Sequence, residues 1–264
     1  MKTSTSKRLR WNIAIWLAAG LFMTSTAGMA SGPIMPDPKV EARHQPQIEE
    51  TANGIPLVNI TAPSSGGVSR NEYETFNVPD KGAILNNSYT LSKTELAGYV
   101  QGNNNMAERP AKIIVNEVTG AGSTSMDGFL EVAGNRADVV IANPNGITVN
   151  GGGFINTGKA FLTTGKPVYD GEDHLQRFDI TGGDILIEGK GLGGKETESL
   201  AILSRAVKIN AGIWAKDLHI TTGANTVDAK TLEASAIEGK GGRPAFALDT
   251  AAIGGMYAGR ITLV

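Results

Sequence analysis

The sequence predicts an all-β fold built as a parallel β-helix, and three observations carry the prediction: a glycine-rich composition, short β-prone runs between turn residues, and a regular succession of such runs after Thr181. The 264 residues include 34 glycines with 6% aromatics, a balance that suits turn-rich β structure better than a helical bundle. After Thr181, Gly-Gly-Asp-Ile-Leu-Ile-Glu-Gly, Ala-Val-Lys-Ile-Asn-Ala-Gly-Ile-Trp-Ala and Asp-Leu-His-Ile-Thr-Thr-Gly follow one another. Each is a short apolar-alternating strand closed by Gly or Asn. Such units cannot bury their inward faces alone, but coiling them into stacked rungs of roughly 20 residues makes one continuous core. A β-sandwich of the same strands remains the alternative, although dipeptides such as Asn-Gly are placed too irregularly to form hairpins throughout.

At the N-terminus, Lys2, Lys7, Arg8 and Arg10 precede the apolar run from Trp11 to Met23. That run is too short to span a bilayer. The small residues behind it, with Gly28 and Ala30 at the positions a signal peptidase prefers, make residues 1–30 a signal peptide cleaved near Ala30. Removing it takes away four of the 24 basic residues and none of the 26 acidic ones, so the net charge falls from −2 to −6. Lys and Arg are scattered singly among acids, which excludes a clustered basic face for nucleic acid or anionic membrane. No cysteine is present, so no disulfide staples this exported chain.

Residues 31–52 are rich in Pro, Glu and Gln with few large apolar groups, and read as a disordered leader. Structure is expected from about Asn53, and the domain runs over 53–264. Strand-forming runs then fall at 55–60, 112–118, 129–132, 139–142, 147–149, 154–155, 160–162, 178–180, 185–187, 207–209, 218–220 and 261–264. Two segments carry helical signals. Over 197–206, Leu200, Leu203 and Val207 recur at helical spacing, and over 90–100, Ser92 and Glu95 are placed like a capping box.

Two glycine motifs mimic nucleotide sites. Gly153 to Lys159 has the phosphate-loop spacing, but Ala160 supplies no magnesium ligand and strand-and-turn residues follow. Gly189, Gly191 and Gly194 fit a dinucleotide loop by spacing alone, and read instead as a flexible loop between rungs. No nucleotide or other cofactor is expected. His44, His174 and His219 show no metal-ligand spacing, and Glu172, Asp173, Asp179 and Asp184 are scattered as solvated turn residues are. The chain is therefore not expected to be an enzyme.

The segment from Ala137 to Asn150 is more specific, because two strands flank Asn143-Pro144-Asn145-Gly146-Ile147. Pro144 presets a turn dihedral, Asn143 can bond forward through its side chain, and Asn145-Gly146 tolerates left-handed conformations. Further motifs stand in order along the chain: Gly54-Ile-Pro-Leu-Val-Asn-Ile, Phe76-Asn-Val, Ile84-Leu-Asn-Asn-Ser, Ile114-Val-Asn116-Glu117-Val-Thr-Gly120, Gly153-Phe-Ile-Asn-Thr157, Leu162-Thr-Thr-Gly-Lys-Pro167, Gln176-Arg-Phe-Asp179 and Gly255-Met-Tyr-Ala-Gly259.

On these residues, from about Gly54 to Val264, the chain resembles the secretion domain of two-partner-secretion exoproteins, a family that includes filamentous haemagglutinins and contact-dependent growth-inhibition proteins. The resemblance implies a right-handed parallel β-helix with an N-terminal cap and extra-helical β-strands. It implies a partner, an outer-membrane two-partner-secretion transporter with periplasmic POTRA domains and a barrel, and a route through the periplasm of a Gram-negative bacterium to the medium or cell surface. A cell-surface receptor would be met through the downstream exoprotein. The resemblance assigns the secretion motif to Asn143 to Ile147, with a companion at Asn103, Asn105 and Met106 and further family residues at Asn116 and Glu117. At the companion site Asn104 replaces the family's proline, so the turn loses its dihedral preset, although both outer asparagines remain and Met106 can replace leucine in an apolar site. Gly151-Gly152-Gly153 stands where some relatives carry a cysteine pair. The apolar, uncapped run at 261–264 is expected of a fragment of a longer exoprotein. A self-sufficient adhesin and a polysaccharide-active β-helix enzyme are the rival readings.

Overall fold

The fold was read from a computed structural model, which describes residues 32–107, 109–242, 244–251 and 254–264. The expected signal peptide lies outside the described residues. The chain winds as a parallel β-helix whose coils visit three faces in turn. The first face stacks Pro56–Asn59, Ala83–Asn87, Phe129–Gly134, Gly152–Ile155 and Leu192–Gly194. The second stacks Val68–Phe76, Ile113–Val118, Ala137–Ala142, Thr157–Thr163 and Ser199–Ser204. The third stacks Thr124–Met126, Ile147–Val149, Asp184–Ile187, Ala206–Ile209 and Leu248–Thr250. The long strand Gly212–Thr222 turns the corner between the first two faces, pairing with Leu192–Gly194 by one half and Ser199–Ser204 by the other. Gly255–Leu263 follows it in register. These parallel ladders rule out the sandwich.

Side chains align in columns because the rungs pair in register, apart from one irregularity between Ala137 and Val139. On the second face Ile114, Val139, Ala160, Leu200 and Leu218 are consecutive partners, and all five lie in the central core. One column over, Asn71, Asn116, Ile141, Leu162, Ile202 and Ile220 are consecutive partners, polar near the N-terminal end and apolar beyond it. The core is thus a stack of layers, each buried by its neighbours; fully burying one such aliphatic side chain contributes about 1.5–3 kcal/mol.

Three expectations need correction. The leader 31–52 is ordered from Ile34 on: Ile34–Pro36 pairs antiparallel with the strand Val68–Phe76, Gln47–Glu50 pairs antiparallel with Pro56–Asn59, and a 3-10 turn, Ala42–His44, lies between them. Its composition read as disorder because backbone pairing to the open edges of the first coil holds most of it, with only Ile34 and Ile48 reaching the central core. This segment is the N-terminal cap. The expected helix at 197–206 is a strand: Leu200 and Ile202 enter the central core while Ala201 and Leu203 pack outside it. Burial on both sides removes the alternation, so an apolar strand copies helical spacing.

The expected helix at 90–100 is a hairpin of Ser92–Thr94 and Gly98–Val100. Gly98 takes φ +70, and Glu131 accepts hydrogen bonds from the backbone nitrogens of Glu95 (2.7 Å) and Leu96 (2.9 Å), fixing the tip on the first face. A second extra-helical unit covers the second face. It is a four-stranded antiparallel sheet of Lys166–Tyr169, Leu175–Ile180, Asn225–Asp228 and Ala234–Ala236. Phe178 packs on Phe161 there, ring centroids 5.9 Å apart, beside Val115, Val140 and Leu203.

Candidate functional site

Asn143 sits where the chain turns from Ala137–Ala142 on the second face to Ile147–Val149 on the third. Its side chain is fully buried and saturated with hydrogen bonds. Nδ2 donates to the Gly122 carbonyl (2.9 Å) and to Thr124 Oγ1 (3.0 Å), both on the preceding coil. Oδ1 accepts from the Asn145 backbone nitrogen (2.9 Å), and the Gly146 nitrogen donates to the Asn143 carbonyl (3.1 Å), closing the turn. Asn145 is exposed, yet its Nδ2 donates to the Gly120 carbonyl at 2.8 Å. Gly146 adopts φ +115, and a Cβ there would stand 3.0 Å from the Asp184 carbonyl of the following coil. A single five-residue corner therefore touches the coils on both sides of it.

The companion site repeats this geometry without proline. Asn103 is buried; its Nδ2 donates to the carbonyls of Ile60 (2.8 Å) and Asn86 (3.0 Å), and its Oδ1 accepts from the Asn105 nitrogen (2.9 Å). The Met106 nitrogen donates to the Asn103 carbonyl at 3.1 Å, and Asn105 Nδ2 donates to the Ile60 carbonyl at 3.0 Å. Met106 is buried in the central core. The turn forms because the two asparagine side chains supply it; Asn104 needs only to stand exposed at the position that Pro144 fills in the other turn.

The ten family residues do not form one surface. Pro144 and Asn145 are exposed and Asn105 half-buried; Asn103, Met106, Asn116, Glu117, Asn143, Gly146 and Ile147 are interior. Asn116 accepts from Tyr73 Oη (2.9 Å) and donates through Nδ2 to the Val140 carbonyl (3.1 Å). Glu117 lies beneath the Lys166–Ile180 hairpin, where burial raises its pKa to about 7. Sequence reasoning missed further asparagines with the same role. Asn87 donates to the carbonyls of Ala111 (2.9 Å) and Asn135 (2.8 Å) and accepts from the Ala111 nitrogen, and Asn86 donates to Asn59 Oδ1 (2.8 Å). Their signal was available: each closes an apolar strand at a corner.

Neither glycine motif forms a phosphate cradle. Gly153 and Gly158 lie in the consecutive strands Gly152–Ile155 and Thr157–Thr163, and Gly189 and Gly191 turn the chain into the strand Leu192–Gly194 with no helix behind them. Among the described residues no group of three or more His, Asp or Glu could hold a metal ion. What the corner turns can do is set register, by tying each coil to the one before it.

Comparison with known proteins places this geometry in context. A family model described as the TPS secretion domain matches residues 33–264. The chain is 48% identical over 220 residues to the 16S rRNA endonuclease CdiA of Enterobacter cloacae subsp. cloacae, covering 83% of this chain and 7% of that protein. It is 46% identical over 237 residues to the toxin CdiA of Yersinia pestis, covering 89% of this chain and 7% of that protein. The chain therefore spans a small fraction of the length of these relatives. Among solved structures, a crystal structure of the filamentous hemagglutinin secretion domain superposes with a TM-score of 0.80 at 33% identity, over 88% of this chain and 78% of that one.

Proposed function

The chain belongs to the TPS secretion domain family, and from that premise we propose that its asparagine corners are the part of the secretion signal that sets how the domain folds. TPS exoproteins are secreted by Gram-negative bacteria, and their secretion domains work with an outer-membrane transporter. In this reading residues 1–30 are cleaved near Ala30, and the mature N-terminal region docks unfolded on the transporter's POTRA domains, adding a strand to an exposed sheet edge. The chain then threads the barrel and folds outside. No nucleotide is needed, because folding withdraws emerging strands from the equilibrium and each rung templates the next.

The observation that supports this most directly is the corner at Asn143 to Ile147, which bonds backward to Gly120, Gly122 and Thr124. A coil whose corner side chains bond to its predecessor is templated by the coil already formed, which favours β-helix growth from the N-terminal end. The domain carries no catalysis of its own in this reading; toxicity, and contact with a cell-surface receptor, would belong to downstream parts of a contact-dependent toxin carrier, as the names of the relatives suggest. The test is co-expression with the cognate transporter, scoring the mature chain in the medium. Asn143→Ala and Asn145→Ala are expected to accumulate in the periplasm, and normal export of both would refute a role for the motif.

A further inference from the structure

A charged network unused by the corner turns joins the cap turn Ala42–His44 to a hairpin far downstream. Arg43 and His44 belong to the cap turn Ala42–His44, Arg70 and Glu72 to the first coil of the second face, and Asp173 to the tip between Lys166–Tyr169 and Leu175–Ile180. Asp173 Oδ2 accepts from Arg43 Nη1 at 2.8 Å across 130 residues of sequence, and its Oδ1 lies 3.8 Å from Arg70 Nη1. Arg70 also sits 2.9 Å from Glu72 Oε1 and 4.4 Å above the Tyr169 ring. The same Glu72 oxygen lies 3.0 Å from His44 Nδ1, with both side chains under one-tenth exposed. The tip itself is pressed close: a Cβ on Gly66 would stand 1.9 Å from His174 Cδ2.

Charge balance identifies the controlling residue. Two guanidinium groups, Arg43 and Arg70, converge on Asp173, the one carboxylate they share; Arg43 also pairs with Glu41 beside its own turn at 2.9 Å, and Arg70 reaches Glu72. Glu117 stands 3.8 Å from Arg70, but burial raises its pKa to about 7, so near neutrality it is only partly ionised. Without Asp173 the two cations would face each other with one shared carboxylate fewer.

We propose that Asp173 closes an electrostatic clasp: the cap strands Ile34–Pro36 and Gln47–Glu50 become locked on the first coil only when the hairpin spanning 166–180 has folded over the second face. The cap is first in sequence but last to be secured among the N-terminal coils. Until the hairpin arrives, its strands can open while the coils beyond stay paired. This goes beyond the export reading and stands without it.

The test is hydrogen exchange on the purified chain and its Asp173→Asn variant. Asp173 adopts φ +58, a conformation that asparagine tolerates, so the substitution removes the charge and keeps the turn. Exchange at 47–50 is expected to quicken about fivefold, as loss of one networked ion pair allows, with the strand Ser199–Ser204 unchanged. In the wild type, raising salt from about 0.01 M to about 1 M shortens screening from about 30 Å to about 3 Å and should quicken cap exchange likewise; the variant, in which salt screens the repulsion left between Arg43 and Arg70, should quicken far less. Unchanged cap exchange in the variant, or equal quickening in cap and Ser199–Ser204, overturns the clasp. If the variant does not fold, the wild-type salt series decides, and a salt-insensitive cap overturns it.

Discussion

Asn143 and Asn103 show how one amide can do the work of a turn. Each spends its oxygen on the nitrogen two residues on and its nitrogen on two acceptors of earlier segments, so truncation orphans several buried groups at once. Asn143→Ala and Asn103→Ala should each destabilise by about 1–3 kcal/mol per orphaned group, read by urea denaturation. Asn145→Ala removes exposed bonds and one half-buried bond to Asn143 Oδ1, which keeps its partner in the Asn145 backbone nitrogen, and should cost about 0.5–1.5 kcal/mol. A strong export defect in that variant, with stability nearly intact, would separate recognition from folding. Asn104→Pro restores the family residue and should add about 0.4–1 kcal/mol by restricting the unfolded chain. A loss of stability would show that the turn at 103–106 differs from its counterpart.

Glu117 gives a pH dependence whose sign can be worked out. Its folded pKa, about 7, lies above its ordinary 4.5, so the folded state favours the neutral acid. The stability it contributes is complete below 4.5 and is lost as pH rises through 7. Glu117→Gln, permanently neutral, should match the wild type in acid and gain on it by at most about 3 kcal/mol above neutrality, in denaturation series across pH. A gap independent of pH would contradict the assignment.

Among the elements, the extra-helical hairpin is held by an aromatic contact before any charge. Phe178 is fully buried against Phe161, and Phe178→Ala should cost about 3–5 kcal/mol, with exchange rising first in residues 166–180. Uniform loss across all coils would mean that the hairpin and the helix fold as one unit. The same elements show what was legible in the sequence. Strands with one face to solvent, such as 185–187 and 207–209, announced themselves by alternation, and Asn143 to Ile147 by turn chemistry. The strand Ser199–Ser204 did not, because it is buried on both sides, and Gln47–Glu50 did not, because its partner supplies what its side chains lack. Asp173 was read as a solvated turn residue; its link to Arg43 spans 130 positions, a distance that no local pattern encodes.

For the whole molecule, the antiparallel cap has a consequence for association between copies. Every ladder of the three helix faces beyond it is parallel, but its two strands run the other way, and their outer rims carry Pro36, which has no N–H to offer, and the exposed pair Glu49 and Glu50. Replacing Pro36 and Glu50 together by valine should expose an adhesive rim and produce concentration-dependent dimers in sedimentation velocity. A variant that stays monomeric would place the protection elsewhere. The unaltered rim behaves like a plug in a tube: two such molecules cannot fuse crown to crown, so each stays separate however densely they are crowded.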